Sequence, residues 1–161
     1  MDEVIRVGIA DYKLCKKPNT ITTIGLGSCV GVVLYSLTGD YCGLLHVMLP
    51  DSKEISKNDN RAKFADTGIA DMISALEEKG ISRTSLLAKI AGGAVMFQFK
   101  GNPAAESVGT RNIKAVKQML EQNNIKIVAE DTGANYGRTI IFDAETKILT
   151  VRAVGKGETK L

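Results

Sequence analysis

The sequence predicts an α+β fold in which mostly antiparallel strands form layered sheets with two main helices. Short apolar runs rich in β-branched residues fill the first half of the chain, and two later runs show helical spacing. The strand-like and helix-like runs are segregated, whereas regular alternation would indicate a doubly wound nucleotide-binding fold. Because no internal repeat or second domain is visible, residues 1–161 are expected to form one domain.

Strand signals are clearest in the first half of the chain. Four β-type runs occur there, namely "VIRVGIADYKL", "TITTIGLG", "VGVVLYSL" and "CGLLHVMLP". Turn signals at Pro18-Asn19 and around Gly39 separate them. The last two runs flank the tight polar turn that contains Gly39, so they are predicted to form a hairpin that ends at Pro50.

The rest of the chain mixes helices and strands. After a polar surface loop, "KFADTGIADMISALEEKG" has helical spacing and stops at Gly80, and "RNIKAVKQMLEQNN" forms a second helix that closes at Asn123-Asn124. A buried strand, "SLLAKIAGGAVMF", and a loop, "QFKGNPAAES", lie between them. Three strand runs follow, "IKIVAED", "RTIIFD" and "KILTVRAV", of which the last two form a hairpin across residues 144–146. The tail over residues 155–161 is expected to be frayed.

Composition excludes several classes of function. The net charge is +3 without a basic stripe, and aromatic residues make up 5% of the chain, so nucleic-acid binding is not expected. The acidic start and the lack of an apolar stretch of about 18 residues predict a cytoplasmic protein without membrane insertion. Three cysteines at spacings of fourteen and thirteen match neither a disulfide framework nor a zinc site, so reduced thiols are expected.

The stretch "GLGSCVGV" over residues 25–32 places Cys29 among closely spaced glycines. The third glycine is one place late for a dinucleotide fingerprint, and a β-branched run follows where that motif needs a helix. Two interpretations stay open from the pattern. Cys29 is either a small buried residue in a glycine-rich bend, or a nucleophile that needs a base, oxyanion donors and space for a substrate.

His46 is the single histidine and therefore the one candidate imidazole base. Cys42 lies four residues before it on the same predicted strand, roughly 13 Å away, which is too far for a hydrogen bond. The predicted hairpin instead returns Cys29 and His46 to the same end of the two strands. A half-buried structural histidine is the alternative, but strand alternation turns His46 away from Leu45 and Val47, toward the side where a cysteine partner could lie.

These motifs closely resemble the CheD family of chemoreceptor glutamine deamidases. The resemblance rests on "TTIGLGSCVGVVLYS", on the histidine of "GLLHVMLPDS" seventeen places after the cysteine, and on "AKIAGGAVMF" and "SVGTRNIKAV" in the expected order. It implies hydrolysis of glutamine side-chain amides on chemoreceptor signalling helices to glutamate and ammonia, without a metal or cofactor. It also implies binding to CheC, a phosphatase of phosphorylated CheY, and a layered α/β/β sandwich similar to toxin-type deamidases.

The resemblance also implies roles for individual residues. Cys29 matches the family's nucleophile, His46 its histidine, and Thr23 its third member, which would orient the imidazole through either its hydroxyl or its carbonyl. The chemistry of a cysteine amidase adds backbone support for an oxyanion around Ser28 and Gly27.

Other residues are candidates for a substrate or partner surface. Gly92 and Gly93 would permit close approach of a substrate helix or form a strand-end bulge. Phe97 is either core or a docking residue, and Arg111 and Asn112, which open a helix, could cap or brace the active-site loop. A non-catalytic docking module that binds and activates CheC is the alternative function, and a cysteine peptidase is a weaker one.

Overall fold

A computed structural model describes residues 2–56, 59–96 and 106–161. Within these residues the chain forms two five-stranded sheets. Sheet I contains, in spatial order, β1 (Val4–Arg6), β3 (Thr20–Leu26), β8 (Arg138–Asp143), β9 (Leu149–Ala153) and β10 (Gly157–Lys160). Sheet II contains β2 (Tyr12–Lys16), β5 (Tyr41–Val47), β4 (Val30–Tyr35), β6 (Leu87–Gly92) and β7 (Lys126–Thr132). The described helices are α1 (Ala65–Glu78), α2 (Val108–Gln122) and one-turn 3-10 helices at Ser52–Glu54, Arg61–Lys63 and Arg83–Ser85.

The chain has three layers, with the helices on sheet II and sheet II on sheet I. One apolar cluster joins α1 and α2 to the outer face of sheet II, and it includes Val30, Val32, Leu45, Ile69, Met72 and Val116. A second cluster fills the space between the sheets, and it includes Ile21, Val33, Leu44, Ile140, Phe142 and Val151. The predicted layered α+β sandwich is confirmed, and β1–β3 and β6–β7 are the parallel pairs among the strands described.

The first predicted hairpin is confirmed and occupies the centre of the fold. Every residue of β4 is buried, because α1 and α2 cover one face of sheet II and sheet I covers the other. β4 pairs with β5 in an antiparallel register that sets Val30 opposite Val47 and Gly31 opposite His46. The start of β4 and the end of β5 therefore lie side by side.

Both helices end as the sequence predicts. The N–H of Gly80 bonds the Glu77 carbonyl at 2.9 Å and the N–H of Ile81 bonds the Leu76 carbonyl at 3.1 Å, which is a Schellman motif. At the end of α2, Asn124 occupies the equivalent left-handed position. α2 begins three residues earlier than predicted, since the Ser107 hydroxyl accepts the N–H of Thr110 at 3.2 Å and caps the helix.

Two expectations differ from the structure at the chain ends. The run "VIRVGIADYKL" is two strands rather than one: β1 joins sheet I, β2 joins sheet II, and the chain crosses between them through a turn with Ala10 at a φ of 58°. The expected frayed tail instead forms β10 on the edge of sheet I. Leu161 exchanges two backbone hydrogen bonds with Leu149, and the buried Lys89 ammonium donates to the Leu161 carbonyl at 2.8 Å. These bonds offset the entropy that a free tail would retain.

No helix in the described part of the chain is long and apolar enough to cross a membrane.

Candidate active site

Cys29 lies in the bend between β3 and β4, immediately before the buried start of β4. Its side chain is half-buried and packs against the cluster between the two sheets. Cys15 and Cys42, by contrast, are buried and lie opposite each other on β2 and β5. Cys29 is thus the one partly accessible thiol of the three, which separates it from the other two in the way that a nucleophile requires.

Three successive carbonyls in this bend accept hydrogen bonds from the segment after β6 and from α2. The Gly27 carbonyl accepts the N–H of Ala94 at 2.8 Å, and the Cys29 carbonyl accepts the N–H of Gly93 at 2.8 Å. Between them, the Ser28 carbonyl accepts a hydrogen bond from the Asn112 side chain at 2.9 Å. The carbonyl side of the bend is therefore fully occupied.

The N–H groups of the same bend, unlike its carbonyls, are only partly hydrogen-bonded. The N–H of Gly27 donates to the Gly25 carbonyl at 3.1 Å, so Gly27 cannot supply a free donor as the sequence suggested. Among the residues described, the N–H groups of Ser28 and Cys29 meet no acceptor. Since both residues are only half-buried, these two donors are available to an external oxygen.

His46 lies near the end of β5, on the face that looks toward sheet I. It shares this face with Cys42 and Leu44, two members of the cluster between the sheets, as strand alternation requires. Gly31 is its direct partner on β4, and Cys29 lies two residues before Gly31. Cys29 itself lies in the bend that leads into this end of β4. The structure therefore brings the Cys29 bend and His46 together at one end of sheet II.

Thr23 approaches His46 from sheet I. Its hydroxyl lies 2.7 Å from Nδ1 of His46 and donates its single proton to the Val7 carbonyl at 2.8 Å. The hydroxyl can therefore only accept from the imidazole, so Nδ1 carries the ring proton and Nε2 has a free lone pair. Thr23 contacts the imidazole through its hydroxyl, which decides between the two alternatives that the sequence left open.

The imidazole and the thiol are both neutral in this environment. His46 is fully buried, and burial lowers its pKa to about 4 from the ordinary value of 6.5. Burial likewise raises the pKa of the Cys29 thiol. Nε2 of His46 is buried and has no hydrogen-bond partner among the residues described. A buried and unpaired nitrogen that is unprotonated at rest is a candidate general base.

The low pKa of His46 predicts a measurable pH effect on folding. His46 binds a proton near pH 6.5 in the unfolded chain but only near pH 4 in the folded protein. Neutral His46 therefore makes its full contribution to the free energy of unfolding above pH 6.5, and this contribution is lost as the pH falls toward 4. The loss amounts to about 3 kcal/mol at most. Urea unfolding at pH 7 and pH 5 should show a smaller pH dependence in His46→Gln than in the wild type.

Proton NMR provides the direct measurement, because the chain has a single histidine. We expect the Cε1 proton of His46 to titrate with a midpoint near pH 4 in the folded protein. A midpoint close to 6.5 in the folded protein would contradict the assignment of a buried, neutral imidazole.

The remaining predicted surface residues take different positions. Gly92 and Gly93 are buried against the Cys29 bend and α2, and thus offer no open surface for a substrate helix. Gly92 ends β6, in keeping with the strand-end alternative. Arg111 lies at the surface in an ion pair with Glu54. Phe97 lies outside the described residues.

Two groups beside the site carried no clear signal in the sequence. The Val7 carbonyl, which accepts from Thr23, belongs to the backbone, and a backbone carbonyl has no residue signature. Asn112, predicted only to cap or brace the active-site loop, is fully buried and contacts both the Ser28 and Met48 carbonyls, at 2.9 and 3.1 Å. A polar residue on the buried stripe of a helix was the available signal for Asn112.

Comparisons with known proteins agree on one family. The family model described as CheD chemotactic sensory transduction matches residues 48–153. A probable chemoreceptor glutamine deamidase CheD from Lachnoclostridium phytofermentans is 52% identical over 161 residues, which cover all of both chains. The chemoreceptor glutamine deamidase CheD from Halalkalibacterium halodurans is 49% identical over 162 residues, again with complete coverage of both.

Solved structures include one with a similar fold. A crystal structure of a Neisseria meningitidis protein of the DUF152 family aligns with a TM-score of 0.54 at 10% sequence identity. The alignment covers 83% of this chain and 64% of that one. At this identity the likeness concerns the fold alone.

Proposed function

Because the chain belongs to the CheD family, we propose that it is a deamidase that hydrolyses glutamine side-chain amides on chemoreceptors to glutamate and ammonia. Its relatives, similar over their full length, are named for this activity. The observation that carries the chemical proposal is the hydrogen bond from His46 to Thr23, because it leaves Nε2 unprotonated on the side of the imidazole away from Thr23. We propose that the reaction takes place in the cytoplasm, on the signalling helices of the receptors.

In the first half of the reaction the sulfur of Cys29 attacks the amide carbon of the glutamine side chain. As the carbon–sulfur bond forms, the thiol proton passes to Nε2 of His46, and the carbonyl electron pair moves to oxygen. The half-buried side chain must turn toward His46 for this transfer. When the tetrahedral intermediate collapses, the carbon–nitrogen bond breaks, and the Nε2 proton goes to the leaving nitrogen to give ammonia. A thioester remains on Cys29.

In the second half, water replaces the sulfur. Neutral His46 takes a proton from a water molecule, and the oxygen of that water adds to the thioester carbon. The carbon–sulfur bond then breaks, the proton on Nε2 returns to the sulfur, and glutamate is released. The imidazole thus acts once as base and once as acid in each half, which is possible because burial keeps it neutral at rest.

The N–H groups of Ser28 and Cys29 serve as the oxyanion donors in both halves. Their lack of acceptors among the described residues supports this role, and so does their place directly beside the sulfur. Such prepositioned donors stabilise charge that develops in the transition state, and the loss of one typically lowers kcat by about 10²- to 10³-fold.

The test of the proposed function is incubation of the wild-type protein with a receptor helix that contains glutamine. Deamidation replaces an amide by an acid and adds about one dalton, which mass spectrometry of the peptides detects together with the position of the change. Equimolar ammonia should accompany it. If receptor helices keep their mass and yield no ammonia, the proposal fails, and cleavage of the backbone instead would indicate a peptidase.

Replacement of Thr23 should separate the role of its hydroxyl from that of its shape. Thr23→Val removes the acceptor for Nδ1 and is expected to lower kcat by about 10²-fold, because the imidazole loses its fixed tautomer. Thr23→Ser keeps the hydroxyl and should retain most of the activity. Steady-state kinetics of ammonia release measure both variants, and equal activities in the two would argue against the orienting role.

We also propose that the protein binds the phosphatase CheC. Exposed apolar side chains support a docking surface, and they include Ile24, Met48, Met96 and Val108. The Met96 side chain lies directly over Gly27. Calorimetric titration of CheC into Cys29→Ala should show binding close to that of the wild type. No binding to the wild-type protein would refute this part of the proposal without affecting the amidase.

A further inference from the structure

Asn112 joins α2 to the bend that carries Cys29 and to the segment directly after β5, the strand that carries His46. Its side chain is completely buried, and the two protons on Nδ2 go to the carbonyl of Ser28, directly before Cys29, and to the carbonyl of Met48, two residues after His46. Its own Oδ1 is buried and has no partner among the residues described. The side chain thus makes two bonds as a donor and none as an acceptor.

The bond to Ser28 fixes the plane of one particular peptide group. The peptide between Ser28 and Cys29 is trans, so its carbonyl and its N–H point in opposite directions. Because Asn112 holds the carbonyl, the N–H of Cys29 must point away from α2. Rotation of this peptide by half a turn would bring the N–H to face the Asn112 donor and would remove it from the substrate side.

Among the residues described, Asn112 is the one side chain that donates to a carbonyl of this bend. The preceding peptide is held by the backbone N–H of Ala94 on the Gly27 carbonyl, and the following one by the backbone N–H of Gly93 on the Cys29 carbonyl. Substitutions elsewhere leave those backbone donors in place, whereas the orientation of the Ser28–Cys29 peptide depends on the identity of residue 112.

The position of the Asn112 amide is itself well fixed. α2 begins in direct backbone contact with the segment after β6, since a Cβ on Gly109 would lie 2.2 Å from the Ala94 carbonyl oxygen. The Ser107 cap holds the same turn of the helix. With the helix start seated on residues 93–94, Asn112 cannot shift away from the bend without moving α2 as a whole.

We infer that Asn112 is a positioning residue that locks the Ser28–Cys29 peptide so that the Cys29 N–H serves as an oxyanion donor. The inference rests on the proposed amidase function. The unpaired Oδ1 supports it, because an apolar side chain of similar size would avoid burying an unmatched acceptor, whereas the two donors of an amide are needed here.

Two variants of Asn112 test the inference. Asn112→Leu removes the donor at nearly constant volume, and Asn112→Asp keeps Oδ1 but replaces the donor by an oxygen that faces the Ser28 carbonyl. Both are expected to lower kcat for ammonia release by about 10²- to 10³-fold with KM changed less than threefold. Gln118→Leu, an exposed amide on the same helix, is the matched control and should leave both constants unchanged.

A second reaction of the Cys29 sulfur distinguishes the loss of the oxyanion donor from a general disruption of the site. Alkylation of Cys29 by iodoacetamide is a direct displacement that forms no oxyanion, so its rate in both variants should stay within about threefold of the wild type. Peptide mass spectrometry distinguishes Cys29 from the two buried thiols. If alkylation and hydrolysis fall together, Asn112 has a structural role only, and if kcat is retained the inference is wrong.

Hydrogen exchange tests the orientation of the Ser28–Cys29 peptide without any enzymatic turnover, so its result is independent of the proposed function. Hydrogen exchange of the backbone amides, followed by NMR, should show the Cys29 N–H open to solvent in the wild type and protected in Asn112→Asp, where it can turn to the carboxylate. If the wild-type protein releases no ammonia but this change is seen, the amidase proposal fails and the peptide lock stands. If Cys29 exchange is the same in both proteins, the lock is refuted whatever the activity.

Discussion

Cys29→Ala is expected to reduce ammonia release from a receptor helix by at least about 10⁴-fold, because no other group among the residues described can form the thioester. Cys15 and Cys42 cannot substitute for it, since both are buried between the sheets. The half-buried Cys29 side chain donates no hydrogen bond in the structure, so its truncation should change the free energy of unfolding by less than about 1 kcal/mol.

Cys15→Ala is the matched control for this experiment. It also removes one thiol, but a buried one on β2, outside the bend that carries Cys29, so it should retain the wild-type kcat. A coupled-enzyme assay of ammonia release measures the activity of both variants, and urea unfolding measures their stability. Turnover by Cys29→Ala at even one tenth of the wild-type rate would eliminate Cys29 as the nucleophile.

Gly92→Ala is expected to have the largest effect on stability. A Cβ at this position would lie 2.3 Å from the Cys29 carbonyl oxygen, and Gly92 has a φ of +107°, which L residues rarely adopt. Since the colliding atom belongs to the backbone, relief requires movement of the Cys29 bend itself. We expect the free energy of unfolding to fall by about 3 kcal/mol or more, with loss of activity even where the variant remains folded.

Gly155→Ala separates the cost of the backbone conformation from that of the collision. Gly155 also has a positive φ, of +75°, but a Cβ there would have no neighbour within 4 Å. This control should lose about 1 kcal/mol and keep its activity. Chemical denaturation of the two variants gives the comparison. Equal losses would mean that the bend tolerates the extra carbon, contrary to the close packing of β6 on Cys29.

Local signals in the sequence predicted most of the fold. Both helix ends follow from residues that adopt left-handed backbone, Gly80 and Asn124, and the central hairpin follows from two apolar runs around a polar turn. The division of the N-terminal run between two sheets could not be predicted in this way, because the same β-type pattern suits either sheet. The tail was mispredicted because its polar residues gave no sign of the backbone pairing of Leu161 with Leu149.

The candidate site was predictable to the extent that it lies within one hairpin. The register of β4 and β5 follows from the turn length, so the approach of Cys29 to His46 follows as well. The contact of Thr23 with His46 joins two sheets, and the contact of Asn112 with Ser28 spans 84 positions in the chain. Such contacts depend on how complete layers pack, so in the sequence Thr23 was recognisable only by resemblance and Asn112 only as a cap or brace.

The long span between Ser28 and Asn112 has a consequence for a chain that is still being made. A nascent chain that has left the ribosome only as far as β5 already contains Cys29 and His46. It still lacks α2, which holds the Ser28 carbonyl, and β8, which pairs with β3 and sets Thr23 in place. If Cys29 is the nucleophile as proposed, its thiol is therefore not assembled into a working centre during early synthesis, and unfinished or prematurely terminated chains should leave the glutamines of other proteins unchanged.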